Sequence, residues 1–153
     1  MNRLRICAIA AFVLSVIALV FMALPAYSYD SATLEISGFE WMAGARTKFA
    51  TGSVQIPGFV ALFIGLVILV IAELVGIFLC SDHPFYRGYA TFEIILALGL
   101  MIFSFCALSF VADRFDSNPS SHFGLAAGPI LLGIALGVSA LADLLSLVHL
   151  AGD

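Results

Sequence analysis

The sequence predicts an all-α membrane protein built as a bundle of four transmembrane helices. Of its 153 residues, 63% are hydrophobic and only 10% are charged, and the mean hydropathy is +1.15. Soluble domains are roughly 45–50% apolar and about a quarter charged, so the excess apolar surface here has to face lipid. Four apolar segments are long enough to cross a hydrocarbon core of about 30 Å. We expect them to form a single domain over residues 1–153.

Prolines mark the ends of several predicted spans. Pro25 ends the first span, and Pro57 suits the first turn of the second. The fourth span begins at Phe123 or at Pro129, and a start at Phe123 requires Pro129 to kink the helix. The predicted spans cover about residues 5–24, 58–80, 88–112 and 125–150.

The N-terminal segment has some features of a cleaved signal peptide. Arg3 and Arg5 make a basic start, and Ala26-Tyr27-Ser28 resembles a cleavage site of small residues. The apolar stretch from Ile6 to Leu24 is longer than a usual signal core, so we predict a retained first span.

Basic residues divide evenly between the two sides of the predicted bundle. Because a basic N-terminus usually dominates orientation, both termini are predicted to be cytoplasmic, in the plasma (inner) membrane. Arg3, Arg5 and Arg87 lie on one side, and Arg46, Lys48 and Arg114 lie on the other.

The first outer loop, residues 26–56, is the only connection large enough to have structure of its own. Residues 33–37 alternate apolar and polar side chains as a short strand does, and residues 53–56 are a candidate partner in a β-hairpin. Aromatic residues around Trp41 lie close in sequence to Arg46 and Lys48, a composition that suits lipid headgroups. We predict a small amphipathic cap, with a partner-binding loop as the alternative.

Small residues form stripes along the predicted spans. Such residues let helix backbones approach closely in lipid. Gly65 and Gly76 lie in the second span, and Gly133-x-x-x-Gly137 lies in the fourth. These glycines predict helix packing, either within the bundle or at a seam between copies of the chain.

Three carboxylates lie inside the apolar segments, at similar predicted depths. Glu73, Glu93 and Asp143 each fall about 9–10 Å from the same side of the membrane, at 1.5 Å rise per residue. Acidic side chains inside a membrane normally face protein or water. We therefore predict one buried carboxylate layer, supported by Ser139 and Ser146, with Arg5 and Arg87 at the membrane edge nearby.

The carboxylate layer admits three interpretations. Repulsion between close carboxylates favours holding a proton, as in an ion pathway or a proton-coupled transporter. Carboxylates with a histidine could instead bind a divalent cation, although the Glu-x-x-His pattern of di-iron bundles is absent from the sequence. In the third interpretation the acids are structural, paired with Arg5 and Arg87 and hydrogen-bonded to serines.

Other classes of function find little support in the sequence. It contains no catalytic-triad pattern, glycine-rich phosphate loop or zinc signature, so no enzyme activity, cofactor or metal site is predicted. The net charge of −4, without a basic run, makes nucleic acid an unsuitable partner. Cys7, Cys80 and Cys106 lie in or beside apolar segments, which favours packing roles over a disulfide framework.

The layout of spans and loops resembles the claudin-like four-span plan. The first outer loop carries Trp41 within Gly38-Phe39-Glu40-Trp41 but no pair of cysteines, so the resemblance extends to topology alone. The chain also looks similar to small uncharacterised bacterial four-span membrane proteins, through Ser37-Gly38-Phe39 and Pro57. These resemblances imply membrane residence and no particular activity.

The sequence thus leads to two functional hypotheses. The first is a non-enzymatic integral membrane protein that acts as a homo-oligomer or as an accessory subunit beside a partner membrane protein in the lipid bilayer. The second is a small ion channel or proton-coupled transporter that uses Glu73, Glu93 and Asp143.

Overall fold

A computed structural model describes residues 3–29, 32–33, 36–46, 53–80, 85–106 and 123–152. Three predicted features lie outside these ranges: most of the hairpin at 81–87, the last turns of the third span up to residue 112, and the polar loop at 113–122.

Long helices dominate the described residues. Helix α1 covers Arg3–Phe21, the short α2 Gly38–Ala43, α3 Pro57–Leu79, α4 Tyr86–Phe105 and α5 Ala127–Gly152. Within the described ranges, all but α2 are long and apolar enough to cross a membrane. These four helices indicate a multi-pass membrane protein and agree with the predicted spans to within a few residues at the ends that can be compared.

Two prolines lie in the first turns of their helices. Pro57 is the first residue of α3. Helix α5 begins at Ala127, between the two predicted starting points, and Pro129 is its third residue. The first N–H groups of a helix have no intrahelical acceptor, so the missing N–H of Pro129 removes no helical hydrogen bond. The kink predicted for a longer helix is therefore not required.

The four long helices form a ring in the order α1, α5, α4, α3. Helix α5 packs closely against both α1 and α4, while α3 contacts the same two helices from the other side. Helices α1 and α4 are therefore diagonal to one another, as are α3 and α5. Neighbouring helices run antiparallel: Ser104, late in α4, donates to the carbonyl oxygen of Pro129, early in α5, and Ala8, early in α1, packs with Cys80 at the end of α3. We call the end where α3 stops and α4 starts the hairpin end, and the opposite end the loop end.

Three of the predicted packing glycines let side chains of α4 pack closely against the backbones of the neighbouring helices α3 and α5. A methyl group on Gly65 would lie 2.5 Å from a Leu100 methyl carbon. On α5, Gly133 faces the ring of Phe105, and Gly137 faces the sulfur of Met101. The Gly-x-x-x-Gly pattern thus packs inside the bundle, which leaves it unavailable as a seam between copies.

Two small antiparallel sheets cover the loop end. Strands β1 (Tyr27–Tyr29), β2 (Ala32–Thr33) and β5 (Phe123–Leu125) form one sheet in the order β2-β1-β5. Strands β3 (Ala45–Arg46) and β4 (Ser53–Val54) form the other. The two segments predicted to pair with each other do not do so within the described residues. Each instead pairs with a strand nearer in sequence, because a short connection costs less loop-closure entropy.

Helix α2 begins at a complete capping box. The Ser37 hydroxyl accepts a hydrogen bond from the Glu40 backbone N–H, and the Glu40 carboxylate accepts one from the Ser37 N–H at 2.7 Å. The Glu40 carboxylate also accepts a hydrogen bond from the Ser37 hydroxyl at 2.9 Å. These bonds favour the ionised carboxylate and lower the pKa of Glu40 below its usual value.

Two aromatic residues of the outer loop, Tyr27 and Trp41, face inward. Trp41 is 1% exposed, and its ring meets that of Tyr27 edge-on at 5.9 Å between centroids. Tyr27 meets Phe59 of α3 at the same distance. Burial raises the pKa of the Tyr27 hydroxyl. Trp41 therefore ties the loop to the bundle through its buried ring. Lys48 and Phe49 lie outside the described residues.

Candidate functional site

The three intramembrane carboxyl groups all point into the bundle. Glu73 on α3, Glu93 on α4 and Asp143 on α5 are each 2% exposed. Glu73 lies six residues before the end of α3, and Glu93 lies seven residues after the start of α4. Both are thus about two turns from the hairpin end. We call these three residues the carboxyl layer.

Glu73 is held between two serines from different helices. The Ser15 hydroxyl of α1 donates to Oε2, and the Ser139 hydroxyl of α5 donates to Oε1 at 2.8 Å. Because α3 and α5 are diagonal in the ring, the contact with Ser139 crosses the centre of the bundle. Ser139 thus binds Glu73 rather than Asp143, its neighbour one turn along the same helix, which the sequence spacing suggested.

The same two serines can serve either protonation state of Glu73. Ser15 Oγ also lies 3.0 Å from the Phe12 carbonyl oxygen, and Ser139 Oγ lies 3.2 Å from that of Ala11. Each hydroxyl carries one hydrogen and can also accept. An ionised Glu73 accepts from both serines. A protonated Glu73 donates to one serine, which then turns its own hydrogen to the backbone carbonyl.

Glu93 is packed tightly but is poorly hydrogen-bonded. Its Oε1 atom would lie only 2.7 Å from a methyl group placed on Gly76 of α3, so the absent side chain of that glycine makes the room for the carboxyl. Among the described residues Oε1 has no hydrogen-bond partner. Gly76 thus packs against an acid, whereas Gly65, Gly133 and Gly137 pack against apolar side chains.

Asp143 also has an unsatisfied oxygen. Its Oδ2 atom is buried and finds no hydrogen-bond partner in the described part of the chain. The Ser146 hydroxyl donates to the backbone carbonyl of Asp143 at 2.8 Å and lies 3.0 Å from the Tyr86 hydroxyl. Ser146 is therefore close to Asp143, as predicted, but it contacts the backbone and not the carboxyl group.

The three carboxyl groups influence one another electrostatically. A negative charge on Asp143 or Glu73 disfavours a charge on Glu93, and a charge on Glu73 disfavours one on Asp143. Like charges that are buried in a protein repel one another strongly, because little water screens them. Full ionisation of all three would therefore be costly, and binding one or two protons relieves that cost.

No arginine pairs with the layer among the contacts seen in the described residues. Arg5 and Arg87 are exposed at the hairpin end. Glu73 receives its hydrogen bonds from serines, and no ion pair joins any of the three carboxyls to an arginine within the ranges described. The electrostatic support predicted from Arg5 and Arg87 is thus not seen there.

Apolar side chains close the layer off on both sides. Toward the hairpin end lies a small buried cluster formed by Ala8, Cys80, Tyr86 and Ala90. Toward the loop end lies the larger core, which includes Leu66 and Leu69 of α3 and Leu132 and Leu136 of α5. The layer thus lies between this small cluster, which we call the thin seal, and the larger core.

The described residues offer no metal centre. They contain no group of three or more histidine, cysteine, aspartate or glutamate side chains placed to hold an ion. His149 lies near the end of α5, while His83 and His122 lie outside the described ranges.

Sequence reasoning missed two contributors to this site. The sequence analysis identifies neither Ser15 nor Tyr86 as part of the site. For Ser15 a signal existed, since a lone hydroxyl in the middle of an apolar span has to find an acceptor inside the bundle. No comparable signal marked Tyr86, because aromatic residues are common where a helix enters a membrane.

Comparison with known proteins identifies no relative. No family model, curated protein or solved structure matches the chain. The resemblance to the claudin-like four-span plan and to small bacterial four-span proteins stays a prediction, and function has to be inferred from the geometry.

Proposed function

We propose that the protein is a small proton-coupled transporter whose carboxyl layer is the proton-binding site. The observation that supports this best is a pair of buried oxygens, Glu93 Oε1 and Asp143 Oδ2, that have no hydrogen-bond partner among the described residues. Natural proteins rarely leave buried polar atoms unsatisfied, and such atoms call for a functional explanation. A proton that moves between these acids supplies one.

A purely structural role explains Glu73 better than it explains the other two acids. Glu73 has a hydroxyl donor for each oxygen and links three helices. Glu93 and Asp143 have neither a serine donor nor an arginine partner for their unsatisfied oxygens in the described residues. A buried acid without such partners lowers the stability of an apolar bundle. A residue retained at such a cost is expected to serve a function.

The enclosure of the layer favours a transporter over an open channel. In an open pore the carboxyls would meet water, whereas here each is 2% exposed. A carrier alternates between states that open its site to one side at a time, and it passes through a closed state between them. We place this transporter in the plasma membrane with its hairpin end toward the cytoplasm, because a basic N-terminus usually stays on the cytoplasmic side.

Proton flux into liposomes tests this proposal. With an imposed pH gradient and a pH dye inside, wild-type protein is expected to carry protons faster than empty liposomes. Glu93→Gln and Asp143→Asn are expected to reduce the rate to that of empty liposomes. Glu40→Gln, at an exposed position of α2, is the matched control and is expected to match wild type. No flux in wild type, or unchanged flux in both layer variants, would refute the proposal.

A second candidate is an oligomeric or accessory subunit. One face of α4 supports it, because Gly88 and Gly99 have open space where a side chain would lie. We expect Gly99→Leu to lower the mass of the purified complex in mild detergent, because a bulky residue keeps helices apart. A strict monomer in wild type, with no co-purifying membrane protein, would contradict this candidate.

A further inference from the structure

We propose that Tyr86 is the gate through which protons pass between the hairpin end and the carboxyl layer. This inference rests on the proposed proton-binding role of the layer and adds its route of access. Tyr86 is the first residue of α4, its side chain is 2% exposed, and it is the largest member of the thin seal at the hairpin end.

The hydrogen bonds around Tyr86 leave its oxygen able to accept. The Ser146 hydroxyl uses its hydrogen on the Asp143 carbonyl oxygen at 2.8 Å. In the 3.0 Å contact between Tyr86 and Ser146, Tyr86 is therefore the donor. Its phenolic oxygen then keeps lone pairs for an incoming proton, while its own hydrogen already points into the bundle.

The fold brings Tyr86 near both acids. Glu93 lies seven residues further along the same face of α4, about two turns, and Ser146, 3.0 Å from the Tyr86 hydroxyl, donates to the carbonyl oxygen of Asp143. Cys80, directly after α3, and the apolar Ala8 of α1 complete its surroundings. Tyr89, one turn further along α4, also lies near Glu93. The hydroxyl thus lies between the hairpin end and the acids, with no basic side chain among these neighbours.

The transfer can be written as a balanced exchange. A hydronium ion at the hairpin end gives a proton to the Tyr86 oxygen and becomes water, as the original phenolic hydrogen turns from Ser146 and passes to a carboxylate of the layer. One O–H bond forms and one breaks at Tyr86, so the tyrosine stays neutral. Rotation about the C–O bond then returns the hydroxyl to Ser146. Release toward the hairpin end follows the same steps in reverse.

Tyr89 provides a matched control on the same helix. Its hydroxyl donates to the Ala72 carbonyl oxygen at 2.8 Å, and its side chain is only partly buried. The hydrogen of Tyr89 is thus committed to the backbone of α3. Tyr86→Phe and Tyr89→Phe remove the same atom one turn apart, and each keeps the ring that packs in the bundle.

The test is the rate of hydrogen–deuterium exchange at the protonated carboxyls, followed by infrared spectroscopy after transfer of reconstituted protein to D₂O. Tyr86→Phe is expected to slow exchange by at least about tenfold, as for loss of a positioned proton-transfer group. The equilibrium intensity of the carboxyl band is expected to be unchanged, and Tyr89→Phe is expected to exchange like wild type.

Wild-type exchange rates in Tyr86→Phe would overturn the gate. If that variant does not assemble, Ser146→Ala tests the same point, because it releases the Tyr86 hydroxyl from its resting partner and is expected to speed exchange. An unchanged rate in Ser146→Ala would then overturn it. Absence of the carboxyl band in wild type would instead refute the proton-binding layer itself.

Discussion

Replacing Glu93 with methionine is expected to stabilise the bundle by about 1–3 kcal/mol, the cost of an unsatisfied buried polar group. Methionine has nearly the length of glutamate and adapts to irregular gaps, so it can occupy the space beside Gly76. It needs no hydrogen-bond partner, whereas Oε1 of Glu93 has none among the described residues. Stability is measured by denaturant titration in mild micelles, with Trp41 as the fluorescent reporter.

The same replacement at Glu73 is the matched comparison, and its expected sign is opposite. Glu73→Met removes two hydrogen bonds, from Ser15 and Ser139. At roughly 0.5–1.5 kcal/mol each, their loss lowers stability by about 1–3 kcal/mol. The two serine hydrogens can return to the backbone carbonyls of Phe12 and Ala11, which keeps the loss within this range.

The two signs separate a functional layer from a structural one. If all three acids served only to hold the helices together, both substitutions would destabilise the protein. A gain at Glu93 would mean that the chain keeps an acid there against its own stability, as active sites often do. Destabilisation at Glu93 as large as at Glu73 would contradict that view.

Much of the helical fold follows from hydropathy, because a long apolar run has few alternatives in lipid. Backbone groups in a bilayer must be satisfied within the segment, so such a run becomes a helix. That argument places α3 within one residue of its predicted ends. It says little about the loop end, where strand β5 joins β1 across nearly a hundred residues of sequence. A pairing between segments so far apart leaves no local pattern to read.

The sequence predicts the depths of the acids but not their hydrogen-bond partners. The rise per helical residue predicts similar depths for Glu73, Glu93 and Asp143, because depth depends only on the distance from the end of a span. Which serine meets which acid depends on the order of helices around the ring, and spacing along one helix does not contain that information. Ser139 therefore bonds to Glu73 across the bundle, although Asp143 is its neighbour in sequence.

The capping box of α2 shows the opposite case. Ser37 and Glu40 have the spacing and residue types of the motif, which is a local signal for the start of a helix. The sequence interpretation gave weight instead to alternation in residues 33–37 and expected a strand. Because α2 has only six residues, its apolar residues do not repeat often enough to indicate a helix.

The second prediction concerns the protonation of the acids in the carboxyl layer. Infrared spectroscopy distinguishes a protonated carboxyl from a carboxylate by its C=O stretch. Purified protein at neutral pH is expected to show a band from buried protonated carboxyl groups. Glu93→Gln and Asp143→Asn are each expected to reduce or abolish that band, because these acids carry the unpartnered oxygens.

Infrared spectroscopy of the reconstituted wild type and these two variants is the most direct test of whether the bundle stores protons. We expect the carboxyl band to fall reversibly as the pH is raised and to recover when the pH is lowered, with the exposed Glu40→Gln variant matching wild type. A wild-type protein with no such band at neutral pH, or a band that survives both substitutions undiminished, would contradict a proton-binding layer at Glu93 and Asp143.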